Sequence, residues 1–169
     1  MDETLIALRL GVAALLGAVL GLERELRGQA AGLRTHILVS LGACLFTLAS
    51  VFVEWTLGSG SPDGSRADVS RIASQVVVGI GFLGAGAIIR DQGHVKGLTT
   101  AANLWLTASV GLATGMGFHW AAGTTVAIAL LSLAGLRPVE RAIRRHRIKR
   151  GLKVDGSLPS APGDEDAPD

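Results

Sequence analysis

Long apolar runs separated by short charged blocks set the pattern of this chain. The runs are Leu5–Leu22, Thr35–Val53, Ile72–Ile89, Thr100–Phe118 and Trp120–Leu136. About 20 residues of helix, at ~1.5 Å each, cross a hydrocarbon core. Each run is near that length, and five of them leave little polar surface for water. The pattern predicts an all-α, polytopic membrane protein with about five transmembrane helices over residues 1–136. Residues 137–153 form a basic juxtamembrane segment, and 154–169 an acidic tail rich in Pro and Ser that is expected to be disordered.

Composition follows this division. Hydrophobic residues make up 49% of the 169 and charged residues 18%, so the charges must collect between the runs. The N-terminus, Met1-Asp2-Glu3-Thr4, is acidic. It lacks the basic start of a cleaved signal, so the first run reads as a retained anchor. Lone Cys44 has no second thiol at metal or disulfide spacing and reads as a small packing residue.

Cations in short loops set topology. Of the 16 Lys and Arg residues, thirteen fall in the blocks after the first, third and fifth runs. Arg9, Arg66 and Arg71 take the other side. This predicts the N-terminus outside and the C-terminus in the cytoplasm. Trp55, Phe118 and Trp120 then lie at outer ends, where amphipathic rings favour the headgroup layer. Arg9 sits about a turn inside. It can snorkel outward or pair with Glu54. The cluster Arg137–Lys153 suits an anionic inner leaflet better than nucleic acid, because it directly follows a membrane run.

The most unusual stretch is Gln75–Gly86, with Gly79, Gly81, Gly84 and Gly86. As a strand and turn, Gly79-x-Gly81-x-x-Gly84 would be a dinucleotide fingerprint. That needs a βαβ unit and an acid about 20 residues on. Asp91 comes too early and the next acid is Glu140, past another membrane run, so the fingerprint fails. As a helix, Arg71, Gln75, Gly79, Phe82 and Gly86 share one face. Small residues allow close approach of helices in lipid. Gly17-x-x-x-Gly21 and Gly111-x-x-x-Gly115 repeat the device, so the third run is expected to be central and to touch both. Glycines that open the helix would instead suggest a transport site.

The polar residues on or near the runs are Glu23, Arg24, Glu25, Arg34, Thr35, Gln75, Thr99, Thr100 and Asn103. All except Gln75 fall at expected cytoplasmic ends. Glu23 and Arg27 have i, i+4 spacing. Thr35 and Thr99 or Thr100 suit N-caps. Together these groups would converge on one inward-facing vestibule. His36, His94, His119 and His146 are scattered. No hydrolase triad, nucleotide loop or clustered metal ligands accompany them, so the chain is expected to be non-enzymatic, with no cofactor and no metal site.

Several ordered blocks resemble the MgtC/SapB family of bacterial membrane proteins. They are Gly17–Glu25 with Arg27-Gly28, Ala31–Thr35, Gln75–Gly86, and Gly97–Ala102 followed by Leu104-Trp105. The resemblance covers essentially the whole membrane region. It implies a bacterial inner-membrane protein linked to magnesium limitation. For some members it also implies survival inside host cells and restraint of the membrane ATP synthase. Many members carry a cytoplasmic ACT-like domain, whereas this sequence has only a short acidic tail after Lys153. Two functions follow as expectations. One is a regulator that docks on another membrane complex, with a homo-oligomer as a further partner. The other is an oligomeric transporter or channel for a cation or small solute, suggested by Arg9, Gln75 and Asn103.

Overall fold

The computed structural model describes residues 2–58, 70–91 and 94–136, with Val139, Ile143 and His146. The expected basic segment and acidic tail lie almost wholly outside the described residues, as does most of the link between the second and third runs. The described chain is helical apart from one hairpin. Its helices are α1 (Glu3–Leu26), α2 (Leu33–Gly58), α3 (Ser70–Ala87), α4 (Leu98–Met116) and α5 (His119–Gly135). The hairpin, β1 (Ile89–Asp91) and β2 (His94–Lys96), pairs antiparallel in the register Ile89 to Lys96.

Helices α1 and α2 are long and apolar enough to cross a membrane, while Arg71–Ala87 and His119–Gly135 are shorter apolar helices. The hairpin was not expected. It takes Ile89 from the third run, where charged Arg90, Asp91 and Lys96 end the apolar stretch. Gly97 then turns the chain into α4 with φ +87, and a side chain there would strike the Ala87 carbonyl.

The turn between α1 and α2 is built from local chemistry. Gly28 has φ +61. Its N–H donates to the Glu25 carbonyl at 3.0 Å, and Gln29 N–H donates to that of Arg24 at 3.1 Å. This is the Schellman arrangement, which satisfies the last carbonyls of a helix. Glu25 then folds across Gly32, and its Oε2 accepts the Leu33 N–H at 3.0 Å. The cap of α2 is therefore Glu25 and not Thr35, which lies exposed inside the helix. Likewise, Gly97 precedes α4, and Thr99 and Thr100 lie within it.

Helices α2 and α4 form the centre of the bundle, and α3 does not. α4 touches every other helix, α1 and α3 also pack on α2, and α5 packs on α4 and α1, so the third run touches the fourth as expected without being central. A Cβ at Gly17 would sit 2.7 Å from the His36 carbonyl oxygen, and one at Gly21 would sit 2.7 Å from Leu33 Cα. On the same face of α2, where Ser40 meets both helices, a Cβ at Gly111 would collide with the Ser40 carbonyl, and one at Gly115 would lie 2.6 Å from Thr47 Cβ. Both glycine pairs thus clamp α2. In lipid, where burial supplies no drive for association, such backbone approach and interhelical hydrogen bonds hold helices together. Ser40 Oγ adds one, donating to the Ala13 carbonyl at 2.8 Å. Apolar clusters fill the remaining space, with Ala13, Cys44 and Leu48 in one and Leu20, Val110, Ala122 and Val126 in another.

The glycines of α3 behave differently. Nothing lies within 4 Å of a Cβ placed at Gly79, Gly81 or Gly86, and at Gly84 the nearest atom is Ala101 Cβ at 3.7 Å. The expected central seam is therefore a peripheral helix with most of its glycines in open space.

Candidate functional site

Three helix ends meet where α1 finishes and α2 and α4 begin. Arg24 lies there, 3% exposed. Its Nη2 donates to Gln29 Oε1 at 2.9 Å and to Thr100 Oγ1 at 3.1 Å. One side chain so joins α1, the following turn and α4. Beside it, Glu23 is paired with Arg27 Nε one turn on, and Arg27 Nη1 reaches the Leu133 carbonyl of α5 at 3.4 Å.

His36 is fully buried within electrostatic reach of Arg24 and Glu23. Its Nδ1 lies 2.9 Å from the Gly32 carbonyl. A carbonyl only accepts, so Nδ1 carries the proton. Nε2 of His36, Nε of Arg24 and Oε2 of Glu23 are buried without a hydrogen-bond partner, while Glu23 Oε1 faces Arg27 in the ion pair. Thr100 completes the junction at 6% exposure, and Asn103, about one turn on along α4, is 5% exposed.

Of the residues expected to converge, Glu23, Arg24 and Thr100 come together, and Asn103 is buried about one turn further along α4. Arg34, Thr35 and Thr99 stay on the surface, and Glu25 is occupied as the α2 cap. Gln75 is elsewhere. It precedes Ala87 by about 18 Å of helix, and it lines a groove between α2 and α3 together with Arg71. The junction is closed, not the expected open vestibule. His36 and Gln29 are members that sequence reasoning missed. The available signal for His36 was its spacing in α2: His36, Ser40, Ala43 and Thr47 step by three and four, and all are buried.

Arg9 bonds backbone rather than Glu54. Its Nη1 donates to the Gly115 carbonyl at 2.7 Å, and its guanidinium lies over Gly117. A cation at the end of α4 answers the carbonyls left open there and the negative end of the helix dipole. Glu54 is not its partner among the described residues.

Polar side chains along α2 and α4 turn onto their own helices. Thr47, Thr107 and Thr114 donate to the carbonyls of Ala43, Asn103 and Val110, at 2.9, 2.8 and 2.8 Å. Among the described residues, no three His, Cys, Asp or Glu side chains form a metal-holding group.

Two helices at the head of this largely helical chain are long and apolar enough to cross a membrane. The chain belongs to the MgtC family, whose sequence pattern matches residues 10–142. Among similar proteins, Protein SapB of Bacillus subtilis is 39% identical over 157 residues, covering 90% of this chain and 66% of that protein. A protein of Escherichia coli K12 described as "Putative magnesium transporter YhiD" is 44% identical over 112 residues, covering 66% of this chain and 51% of its own. Protein MgtC of Brucella abortus is 43% identical over 141 residues, with 82% and 54% covered. The chain thus spans about half to two thirds of these relatives. No solved structure matches it.

Proposed function

We propose that this protein is a non-enzymatic, multi-pass component of the bacterial inner membrane that supports magnesium homeostasis by docking on another membrane complex. The observation that carries this reading is the contrast between a closed interior and an open α3. Gly17, Gly21, Gly111 and Gly115 bring backbones together around α2, and the hydroxyls within turn onto carbonyls. Gly81 and Ala85, one turn apart on α3, are both exposed. That spacing admits a partner helix at close range. The membrane ATP synthase, implied by the family resemblance for some members, is the first complex to test. Five crossings with the C-terminus inside accord with the cation distribution, and with Trp55, Phe118 and Trp120 at 63%, 62% and 85% exposure.

Crosslinking in native membranes is the direct test. Gly81→Leu should insert normally and lose the crosslinked partner. Unchanged capture by an inserted Gly81→Leu protein would reject docking at this face.

Transport is the second reading. It is favoured by the groove carrying Arg71 and Gln75 and by the naming of the Escherichia coli relative as a magnesium transporter. Purified protein in liposomes should then move magnesium or another cation down a gradient. An inert preparation beside a working control transporter would remove this reading.

A further inference from the structure

The groove between α2 and α3 is separate from the Gly81–Ala85 face and has its own chemistry. It encloses about 810 Å³, within the ~300–1,000 Å³ of small-ligand sites. Gly42 of α2 and Gly79 of α3 leave it deep, and Phe46 and Leu83 wall it. Its α3 lining runs from Arg71 to Leu83, about 18 Å of helix. One leaflet of a ~30 Å hydrocarbon core is about 15 Å deep. Polarity is confined to one end, where Arg71 and Gln75 stand in the first two turns of α3. The positive end of the helix dipole reinforces Arg71 there. Everything below them on α3 is apolar or glycine.

An apolar slot one leaflet deep, with a cation and an amide only at its mouth, matches one ligand class. We propose that the α2–α3 groove binds an anionic phospholipid, with an acyl chain along Gly42 and Gly79 and the headgroup phosphate on Arg71 and Gln75. Charge complementarity selects this occupant. A partner helix would bring an apolar surface to Arg71, and a zwitterionic lipid would present its phosphate with an offsetting cation. Arg71 offers a donor fork that matches phosphate geometry, and the Gln75 amide adds a donor one turn on.

Native mass spectrometry of the full-length protein, released from nanodiscs holding equal amounts of phosphatidylglycerol and phosphatidylcholine, tests this. The wild type should retain phosphatidylglycerol in preference. Arg71→Gln should lower that preference about five-fold, the factor expected for one interfacial cation, while still retaining lipid. Gly79→Phe should fill the slot and lose both lipids, and Gly81→Leu should lose neither. Equal retention of the two lipids by the wild type would overturn the proposal, as would a preference that survives Arg71→Gln. A dimer that Gly79→Phe converts to monomer would assign the groove to a second copy instead. If Gly79→Phe fails to insert, Arg71→Gln decides the matter. Because Gly81→Leu is scored separately for partner capture, docking and lipid binding fail independently.

Discussion

Helices α1 and α4 carry glycines four residues apart, and so does the α3 face defined by Gly81 and Ala85 if alanine is counted as small. The first two pairs are buried against α2, with no room for a Cβ. The α3 positions look into open space. The same spacing therefore does two jobs. In α1 and α4 it closes the bundle on itself. In α3 it leaves a surface on which something else fits. What separates them is the facing helix: α2 presents its backbone at Leu33, His36 and Ser40 and small Ala43 and Cys44 to the clamps, whereas the outer face of α3 has no facing helix among the described elements.

The largest test of this contrast is Gly111→Leu. Overpacking by a single methyl already costs about 1–3 kcal/mol, and a leucine against the Ser40 backbone should prevent α4 from seating. Loss of the folded species in detergent, followed by helical signal and protease resistance, is the expected result. A folded Gly111→Leu protein would show that α4 is not clamped to α2. Next in size is Arg9→Ala, which removes a charged hydrogen bond worth roughly 1.5–3 kcal/mol. A lowered unfolding midpoint in mixed micelles should report it, and Arg9→Lys should recover part of the loss. Glu25→Ala should cost about 1 kcal/mol through the lost cap of α2, visible as faster hydrogen exchange at Leu33. The smallest change is Gly81→Ala. At an exposed helical site it should be neutral or stabilising by up to about 1 kcal/mol, and a destabilised protein would mean that α3 is packed after all.

The helices were legible in the sequence because each apolar run is bounded by charge or by glycine. Their arrangement was not. α2 is apolar on every side, so no periodic face marked it as the centre, and the richest glycine stretch drew attention to α3 instead. The polar junction was half legible. Glu23, Arg24, Thr100 and Asn103 lie beside run ends, where polar groups stand out. His36 is one imidazole within an apolar helix, and its burial depends on Gly17 and Gly21 of another helix. The acceptor of Arg9 was not legible because Glu54 is a visible charge, while the backbone oxygen Arg9 bonds is present at every position. The α2 cap was missed for a related reason. Thr35 fits the usual preference, but Glu25 reaches the helix start only after Gly28 has reversed the chain.

The Arg9–Gly115 bond joins residues 106 apart in sequence. During synthesis, α1 enters the membrane long before its acceptor exists. The first helix therefore carries an unmatched guanidinium until the end of α4 emerges, and that cation favours a position near water in the meantime. α1 and α2 can pair early through Gly17 and Gly21, but α1 reaches its final depth only when α4 arrives to receive Arg9. A chain stopped before Gly115 would hold its first two helices together and leave the latch undone.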